Sequence, residues 1–248
     1  MKIFINRLFE NFDTFRLKMI SKSFINLISR RNYAHDLYWF DTKIFQTPTD
    51  LYLYQNLLFK VKPTTVIETG VAEGGSILFT CHILDLIHGK NKRNSWQIIC
   101  CDINSMANAK RKIIRHGYSK NVKFFKGDSS KIEFNNFVKK NLRLKKQKAI
   151  LVSLDSNHTE NHVFQELNSL SNFVSKNSFI IVWDSRIGDL SILTHLLRKR
   201  AWKKKSHAGT AVLKFLGQDS AENFKIEKNL ENKLLITGTK FGILRKQS

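Results

Sequence analysis

The chain has 248 residues, of which 42% are hydrophobic, so it can bury a sizeable core and is not a wholly disordered protein. No uncharged apolar stretch approaches the roughly 20 residues that span a bilayer. Its three cysteines, two of them adjacent, cannot build a disulfide framework and form no C-x-x-C motif. We therefore expect a protein of the reducing cytoplasm.

The charge of the chain is its most unusual bulk property. It carries 42 Lys and Arg against 20 Asp and Glu, a formal net charge of +22. Such an excess favours an anionic partner: nucleic acid, acidic lipid, or a phosphorylated or acidic glycan. A lysine-rich, solvated surface explains the charge equally well. Nucleic acid is the weaker choice, because basic residues are spread along the chain and no RRM, KH or zinc-finger signature occurs.

Residues 1–38 are predicted to form a basic amphipathic helical extension. Apolar residues such as Phe12, Phe15 and Met19 recur at helical spacing between Lys and Arg. Polar residues interrupt every candidate signal-peptide core in this segment. Two interpretations stay open: the extension caps the following domain, or it lies on an anionic membrane surface, peripheral to the inner membrane. Its role in homo-oligomer assembly is equally open.

Residues 39–248 alternate between short apolar runs and longer segments of helical period, which predicts one α/β domain with a mostly parallel sheet and helices on both faces. The predicted strands are Thr65–Thr69, Gln97–Asp102, Val122–Lys126, Ala149–Leu154 and Phe179–Trp183, followed by Phe224–Ile226, Lys233–Thr237 and Gly242–Arg245. The predicted helices between them are Ser76–His88, Met106–His116, Ile132–Leu142 and Asn161–Val174. In such sheets, ligands bind outside the carboxyl ends of the strands.

The first of these strands ends in a glycine-rich loop that opens directly into a helix. The loop lacks the G-x-G-x-x-G spacing of dinucleotide sites, because position 72 is alanine, and it lacks a P-loop lysine. An acidic residue before a glycine loop suits a ligand with a cationic amino acid moiety, such as S-adenosylmethionine. The candidate cofactor-binding residues here are Glu68, Gly70, Gly74, Gly75 and Ser76.

Acidic residues also end the next two strands. Asp102 is placed to accept hydrogen bonds from ribose hydroxyls, as in other nucleotide-binding α/β folds. Asp128 and Ser129 are placed for the adenine edge. A single Asp at such a position is more often a helix N-cap. The succession of Glu68, Asp102 and Asp128 after three strands favours a cofactor site.

The fourth and fifth strands carry the candidate catalytic residues. Asp155 and Asp184 follow neighbouring strands, so their carboxylates can share a Mg²⁺ ion at the sheet edge. His158 follows Asp155 by three residues, and an imidazole is the natural general base near neutral pH. We predict Asp155 and His158 as catalytic residues, and Asp155 and Asp184 as metal ligands.

Three motifs resemble the cephalosporin hydroxylase family, which includes rhamnosyl O-methyltransferases. They are the glycine loop Glu68–Ser76, the block Leu154–Thr159 and the segment Glu231–Thr237. The similarity extends from about Trp39 to Arg245. The resemblance implies a Rossmann-like class I methyltransferase fold with a seven-stranded sheet, S-adenosylmethionine as cofactor and, in many relatives, Mg²⁺.

The same resemblance implies a function: O-methylation of a sugar hydroxyl in bacterial surface polysaccharide or glycolipid synthesis, on a phosphorylated or lipid-linked acceptor. Related enzymes carry an acidic pair at the end of the fifth strand, where this chain has Trp183-Asp184. Three alternatives stay open: a hydroxylating or methoxylating enzyme of small-molecule biosynthesis, a catalytically silent relative, and a non-catalytic nucleic-acid-binding protein.

Overall fold

The computed structural model describes residues 2–142, 149–198, 200–234 and 236–247. The nine named helices are α1 Lys2–Arg30, α2 Pro48–Val61, α3 Gly75–His88, α4 Ala107–Arg115, α5 Ile132–Asn141, α6 Glu160–Leu170, α7 Ile192–Arg198, α8 Ala208–Leu216 and α9 Lys228–Lys233, all within the described ranges. The strands are β1 Tyr38–Trp39, β2 Thr42–Lys43, β3 Thr65–Thr69, β4 Gln97–Asp102, β5 Val122–Lys126, β6 Ile150–Leu154, β7 Phe179–Val182, β8 Phe224–Ile226 and β9 Ile243–Lys246.

The main sheet has seven strands in the order β5-β4-β3-β6-β7-β9-β8. Strands β3 to β7 are mutually parallel, and β9 runs antiparallel to both of its neighbours. The predicted mostly parallel, seven-stranded α/β fold is therefore confirmed. Strand order reverses beside β3, and a crevice at such a reversal is where open α/β sheets bind ligands. A small hairpin of β1 and β2, which the sequence did not predict, lies outside this sheet.

Both faces of the sheet are buried, because successive strand residues alternate between two separate cores. Val66 of β3 belongs to the core under α2, α3 and α4, whereas its neighbour Ile67 belongs to the core under α5, α6 and α8. The central strands accordingly show near-continuous apolar runs in the sequence. This alternation decides which way each residue at a strand end points, and it matters below for Glu68.

The prediction of a strand at Lys233–Thr237 is wrong for those of its residues that the structure describes. Lys233 ends helix α9, and Thr237 lies in a loop. The loop conformation is fixed from outside, since Thr237 Oγ1 donates to Asp50 Oδ1 at 2.5 Å and the Gly238 N–H donates to the same carboxylate. Residue 235 of the predicted strand lies outside the described residues.

Helix α1 packs against the domain through its C-terminal half. Ser21 and Ile25 are buried, and Arg186 donates to Ser21 Oγ at 3.1 Å. Asn26 Oδ1 accepts hydrogen bonds from the Ser191 N–H and the Thr194 hydroxyl near the start of α7. Among the described residues, no helix has both the length and the apolar composition needed to cross a membrane.

Candidate active site at the carboxyl edge of the sheet

A cavity of about 610 Å³ opens at the carboxyl ends of β3 to β7. This size is in the usual range for a small-molecule site. Most of the candidate residues line this single cavity: Gly70, Gly75, Ser76, Asp102, Asp128, Ser129, Asp155, His158 and Asp184. Glu68 and Gly74 do not. Gly74 instead lies against Ala109, where an added Cβ would come within 2.8 Å of the Ala109 side chain, so it permits close packing of α3 and α4.

The glycine loop is held by the strands on either side of β3. Gly70 has φ +84°, and a Cβ there would lie 2.0 Å from the carbonyl oxygen of Asp155. Only glycine combines this conformation with so close an approach. Asp102 Oδ2 accepts hydrogen bonds from the Val71 and Ala72 N–H groups at 2.9 and 3.0 Å. The carboxylate predicted to bind ribose therefore also fixes the loop, while still facing the cavity.

Glu68 lies behind the glycine loop, with its side chain almost fully buried. Strand alternation places it on the Val66 face of the sheet, under the first turn of α3. There the Ser76 hydroxyl donates to Glu68 Oε1, and Oε2 has no hydrogen-bond partner among the described residues. Burial raises the pKa of Glu68 to about 7, against the opposing effect of the Ser76 hydrogen bond. Glu68 therefore positions Ser76, which does line the cavity.

We expect the Glu68→Gln variant to lose less stability than the wild-type protein as the pH rises. The pKa of Glu68 is 4.5 in an ordinary environment and about 7 in the fold, so the folded state holds the proton more tightly. Its ionisation then destabilises the fold progressively between these values, and the penalty is complete above pH 7. From pH 5 to 8 this amounts to about 2 to 3 kcal/mol.

Urea unfolding of both proteins at pH 5 and pH 8 measures this difference, because all other titrating groups are common to the two proteins. Parallel stability curves for wild type and Glu68→Gln would contradict a buried carboxyl with a raised pKa.

A hydrogen-bond network joins the ends of β5 and β6 at the predicted adenine side of the cavity. Ser129 and Ser156 both donate to Glu166 Oε1, at 2.6 and 2.7 Å. Both hydroxyls also lie 3.1 Å from His162 Nε2. Burial lowers the pKa of His162, but the bond to Glu166 and the charges of Glu166 and Asp128 raise it overall. Sequence reasoning missed His162 and Glu166, although their i, i+4 spacing beside the Asp155–His158 block was a usable signal.

The predicted catalytic residues meet at the other side of the cavity. His158 Nε2 lies 3.4 Å from Asp184 Oδ2 and 3.9 Å from Asp155 Oδ1. Burial, and then the charges of Asp184 and Glu68, raise the pKa of Asp155 well above its ordinary value, while a hydrogen bond from Gln46 opposes them. Asp184 has φ +53°, a conformation rarely adopted by residues other than glycine. Such backbone strain concentrates at functional sites.

Two further polar residues reach this side from the start of helix α2 and from the segment just before it. Gln46 Nε2 donates to Asp155 Oδ2 at 2.6 Å, just before the Thr47 N-cap and Pro48 begin the helix. Asp50, in the first turn, accepts hydrogen bonds from Thr47 and Thr237 and is buried. Asp50 was missed, because only the folded chain brings residues 50 and 237 together. Gln46 lies within the stretch of family similarity but was not predicted as a site residue, because Asp155 is 109 positions away in the chain.

The described residues contain no group of three or more His, Cys, Asp or Glu that could hold a metal ion. Trp183, next to Asp184 in the chain, is buried and donates to Ser153 Oγ at 2.8 Å. The carboxyl groups of Asp155 and Asp184 still lie near each other in the cavity, at 3.9 and 3.4 Å from His158 Nε2. Because Mg²⁺ is commonly bound through one or two carboxylates with water and substrate oxygens, these two residues fit such an open site.

Comparison with known proteins identifies the family of the chain. The family model described as Rhamnosyl O-methyltransferase/CmcI matches residues 31–247. Rhamnosyl O-methyltransferases of Mycobacterium leprae and Mycobacterium tuberculosis are 24% and 25% identical, over 62% and 65% of this chain. The chain spans 63% and 64% of the length of these two relatives.

Among solved structures, CmcI with Mg and SAM has a TM-score of 0.59 at 16% identity, covering 86% of this chain and 78% of that one. At this identity the likeness concerns the fold, and it confirms the class I methyltransferase architecture. The family match covers most of the chain, in agreement with the sequence motifs and the strand order. The chain belongs to the Rhamnosyl O-methyltransferase/CmcI family.

Proposed function

We propose that this protein is an S-adenosylmethionine-dependent O-methyltransferase that acts on a sugar hydroxyl in the synthesis of a bacterial surface polysaccharide or glycolipid. One observation carries the proposal: a single cavity joins the glycine loop and Asp102 to the group formed by Asp155, His158 and Asp184. The names of the curated relatives support a rhamnosyl acceptor.

The glycine loop and the first turn of α3 form the methyl-donor half of the site. Free N–H groups at the start of α3 suit the carboxylate of the methionine moiety. Asp102 already accepts three backbone hydrogen bonds, from Val71 and Ala72 on Oδ2 and from Asn104 on Oδ1, which leaves about one of the roughly four acceptor positions of a carboxylate for a ribose hydroxyl. Ser129, held by Glu166, lies where the adenine edge is expected. This assignment leaves the sulfonium methyl group facing His158.

Methyl transfer is an in-line displacement at the methyl carbon. The acceptor oxygen forms a bond to this carbon as the carbon–sulfur bond breaks, and the sulfonium becomes a neutral thioether. The hydroxyl proton passes to His158 Nε2, and Asp184 at 3.4 Å stabilises the imidazolium that results. Such base assistance typically contributes 10²–10⁴-fold in rate. Holding the two reactants in line supplies a further large part.

Asp155 and Asp184 would hold Mg²⁺, and the bound ion would supply a lowered pKa of the acceptor hydroxyl. Gln46 orients Asp155 for this role or for a direct hydrogen bond to the acceptor. The proton transfer from the acceptor hydroxyl to His158 described above does not itself require a metal ion.

The decisive experiment has two parts. Calorimetric titration with S-adenosylmethionine is expected to show one site per chain, with and without Mg²⁺. Methyl-labelled donor is then expected to label an aryl rhamnoside at a rate above that with an aryl glycoside lacking free hydroxyls. A protein that binds no S-adenosylmethionine, or binds it and never labels a sugar, would contradict the proposal.

A further inference from the structure

The cavity has a second wall, built from α1, α7 and the segments on either side of α7. Its apolar part consists of Ile25, Ile28, Leu190 and Trp202. Its polar part carries the guanidinium groups of Arg198 and Arg200, with Lys43 and His35 from the segments before α2. This wall faces the His158 side of the cavity, because Arg198 is close enough to Asp184 for the two charges to interact.

In the described part of the chain, the side chains of Arg198, Arg200 and Lys43 have no carboxylate partner within 4 Å. Arg198 donates to Asn32 Oδ1 at 3.2 Å, and its other N–H donors have no hydrogen-bond partner among the described residues. Arg186, also on the cavity wall, differs: Asp189 pairs with it at 3.1 Å and with Lys240 at 3.0 Å. Arg186 and Lys240 therefore share one close carboxylate, whereas Arg198 has only the more distant charge of Asp184.

Arg198, Arg200, Lys43 and His35 also lie close to one another. After burial, the charges of Arg198 and Arg200 are the largest causes that lower the pKa of His35, and Lys43 adds to them while Asp36 opposes them. Burial likewise lowers the pKa of Arg198, with Arg200 adding to the effect and Asp184 opposing it. Like charges held together are unfavourable until an anion joins them. Paired guanidinium forks match the geometry of phosphate oxygens.

We propose that Arg198 and Arg200, assisted by Lys43 and His35, bind a phosphate or diphosphate group of the acceptor. The sugar that presents its hydroxyl to His158 would then be a sugar diphosphate, either nucleoside-linked or lipid-linked. The inference rests on the proposed methyl transfer and names its substrate class. It also accounts for cations beside a site whose donor ligand is itself positively charged.

The test uses inorganic pyrophosphate as the probe, titrated into full-length protein saturated with S-adenosylhomocysteine. Wild type is expected to bind it, and the double variant Arg198→Ala/Arg200→Ala to bind about tenfold to a hundredfold more weakly. The single variant Arg200→Ala changes an exposed residue, so it keeps the test valid if the double variant folds poorly.

The matched control is the triple variant Lys203→Ala/Lys204→Ala/Lys205→Ala. It removes three charges from the same segment, but these exposed lysines do not line the cavity. Pyrophosphate affinity within about threefold of wild type is expected for it, because distant exposed charges are screened. An equal loss in the control and in the Arg variants, or no pyrophosphate binding by wild type, would overturn the inference.

Methyl-transfer assays then distinguish the two sources of the diphosphate. A nucleoside-diphosphate sugar and a polyprenyl-diphosphate sugar are each compared with the same sugar lacking phosphate. A preference for either diphosphate that disappears in Arg200→Ala supports the inference and names the source, whereas equal rates with and without phosphate contradict it. Affinity for S-adenosylmethionine is measured in parallel. If wild type does not bind S-adenosylmethionine, the methyltransferase proposal fails. If wild type binds it but shows no preference for a diphosphate, only the diphosphate inference fails.

Discussion

Replacing His158 by alanine is expected to lower methyl transfer at least about 100-fold while leaving the affinity for S-adenosylmethionine nearly unchanged. The imidazole lines the cavity between Asp155 and Asp184, on the side away from the residues assigned to the adenosine. Loss of the imidazole removes the proton acceptor but removes no contact to the methyl donor. Labelled methyl transfer to a rhamnoside measures the rate, and calorimetry measures the cofactor affinity.

Chemical rescue separates catalysis from structure in this experiment. Added imidazole should restore part of the rate in His158→Ala, because the truncated side chain leaves space beside the two carboxylates. His116→Ala is the control, since His116 lies outside the cavity and pairs with Asp41 at 3.1 Å. Equal losses of turnover and cofactor affinity in His158→Ala, with no rescue, would show that His158 only supports the fold of the loop.

Gly70→Ala is expected to destabilise the protein by about 3 kcal/mol and to abolish cofactor binding. The residue has φ +84°, and an added Cβ would lie 2.0 Å from the Asp155 carbonyl oxygen. The backbone must therefore shift at the junction of the donor loop and the catalytic carboxylate. Urea unfolding and calorimetry measure the two effects.

Gly89→Ala is a closely matched control for this variant. Gly89 has φ +83°, but nothing lies within 4 Å of the position of its Cβ. With φ +83° and ψ +143° its backbone lies in a region that essentially only glycine adopts, so alanine there costs about 1 to 3 kcal/mol of backbone strain without a clash, and the variant should bind the cofactor like wild type. If Gly70→Ala bound the cofactor as well as Gly89→Ala, the close approach of Gly70 to the end of β6 would have no importance for the site.

The sheet was predictable because its strands are buried on both faces. Runs such as Ile98–Cys101 are apolar at every position, so their limits are visible without knowledge of the neighbours. The same property hid the orientation of Glu68. With both faces apolar, nothing in the sequence tells whether the residue next to the strand end points toward the ligand or under the adjacent helix, where Ser76 binds it.

The wrong strand at Lys233–Thr237 has a related cause. An apolar run after a polar segment is typical of a strand, but the Asp50 carboxylate holds Thr237 and Gly238 in a loop. The residues that make these contacts are 187 and 188 positions apart in the chain, so the local sequence does not reveal them. The same holds for Gln46, whose bond to Asp155 spans 109 positions. Strand ends and their order were thus readable, whereas the side chains that arrive from distant helices were not.

Helix α1 ends before the segment that matches the family, which begins at residue 31, yet Ile25 and Ile28 of this helix form part of the cavity wall. A protein trimmed to the family boundary for expression would keep every residue assigned to the methyl donor and lose a side of the acceptor space. Donor binding by such a trimmed version would therefore say nothing about acceptor choice. Substrate screening should use chains that retain the leading helix.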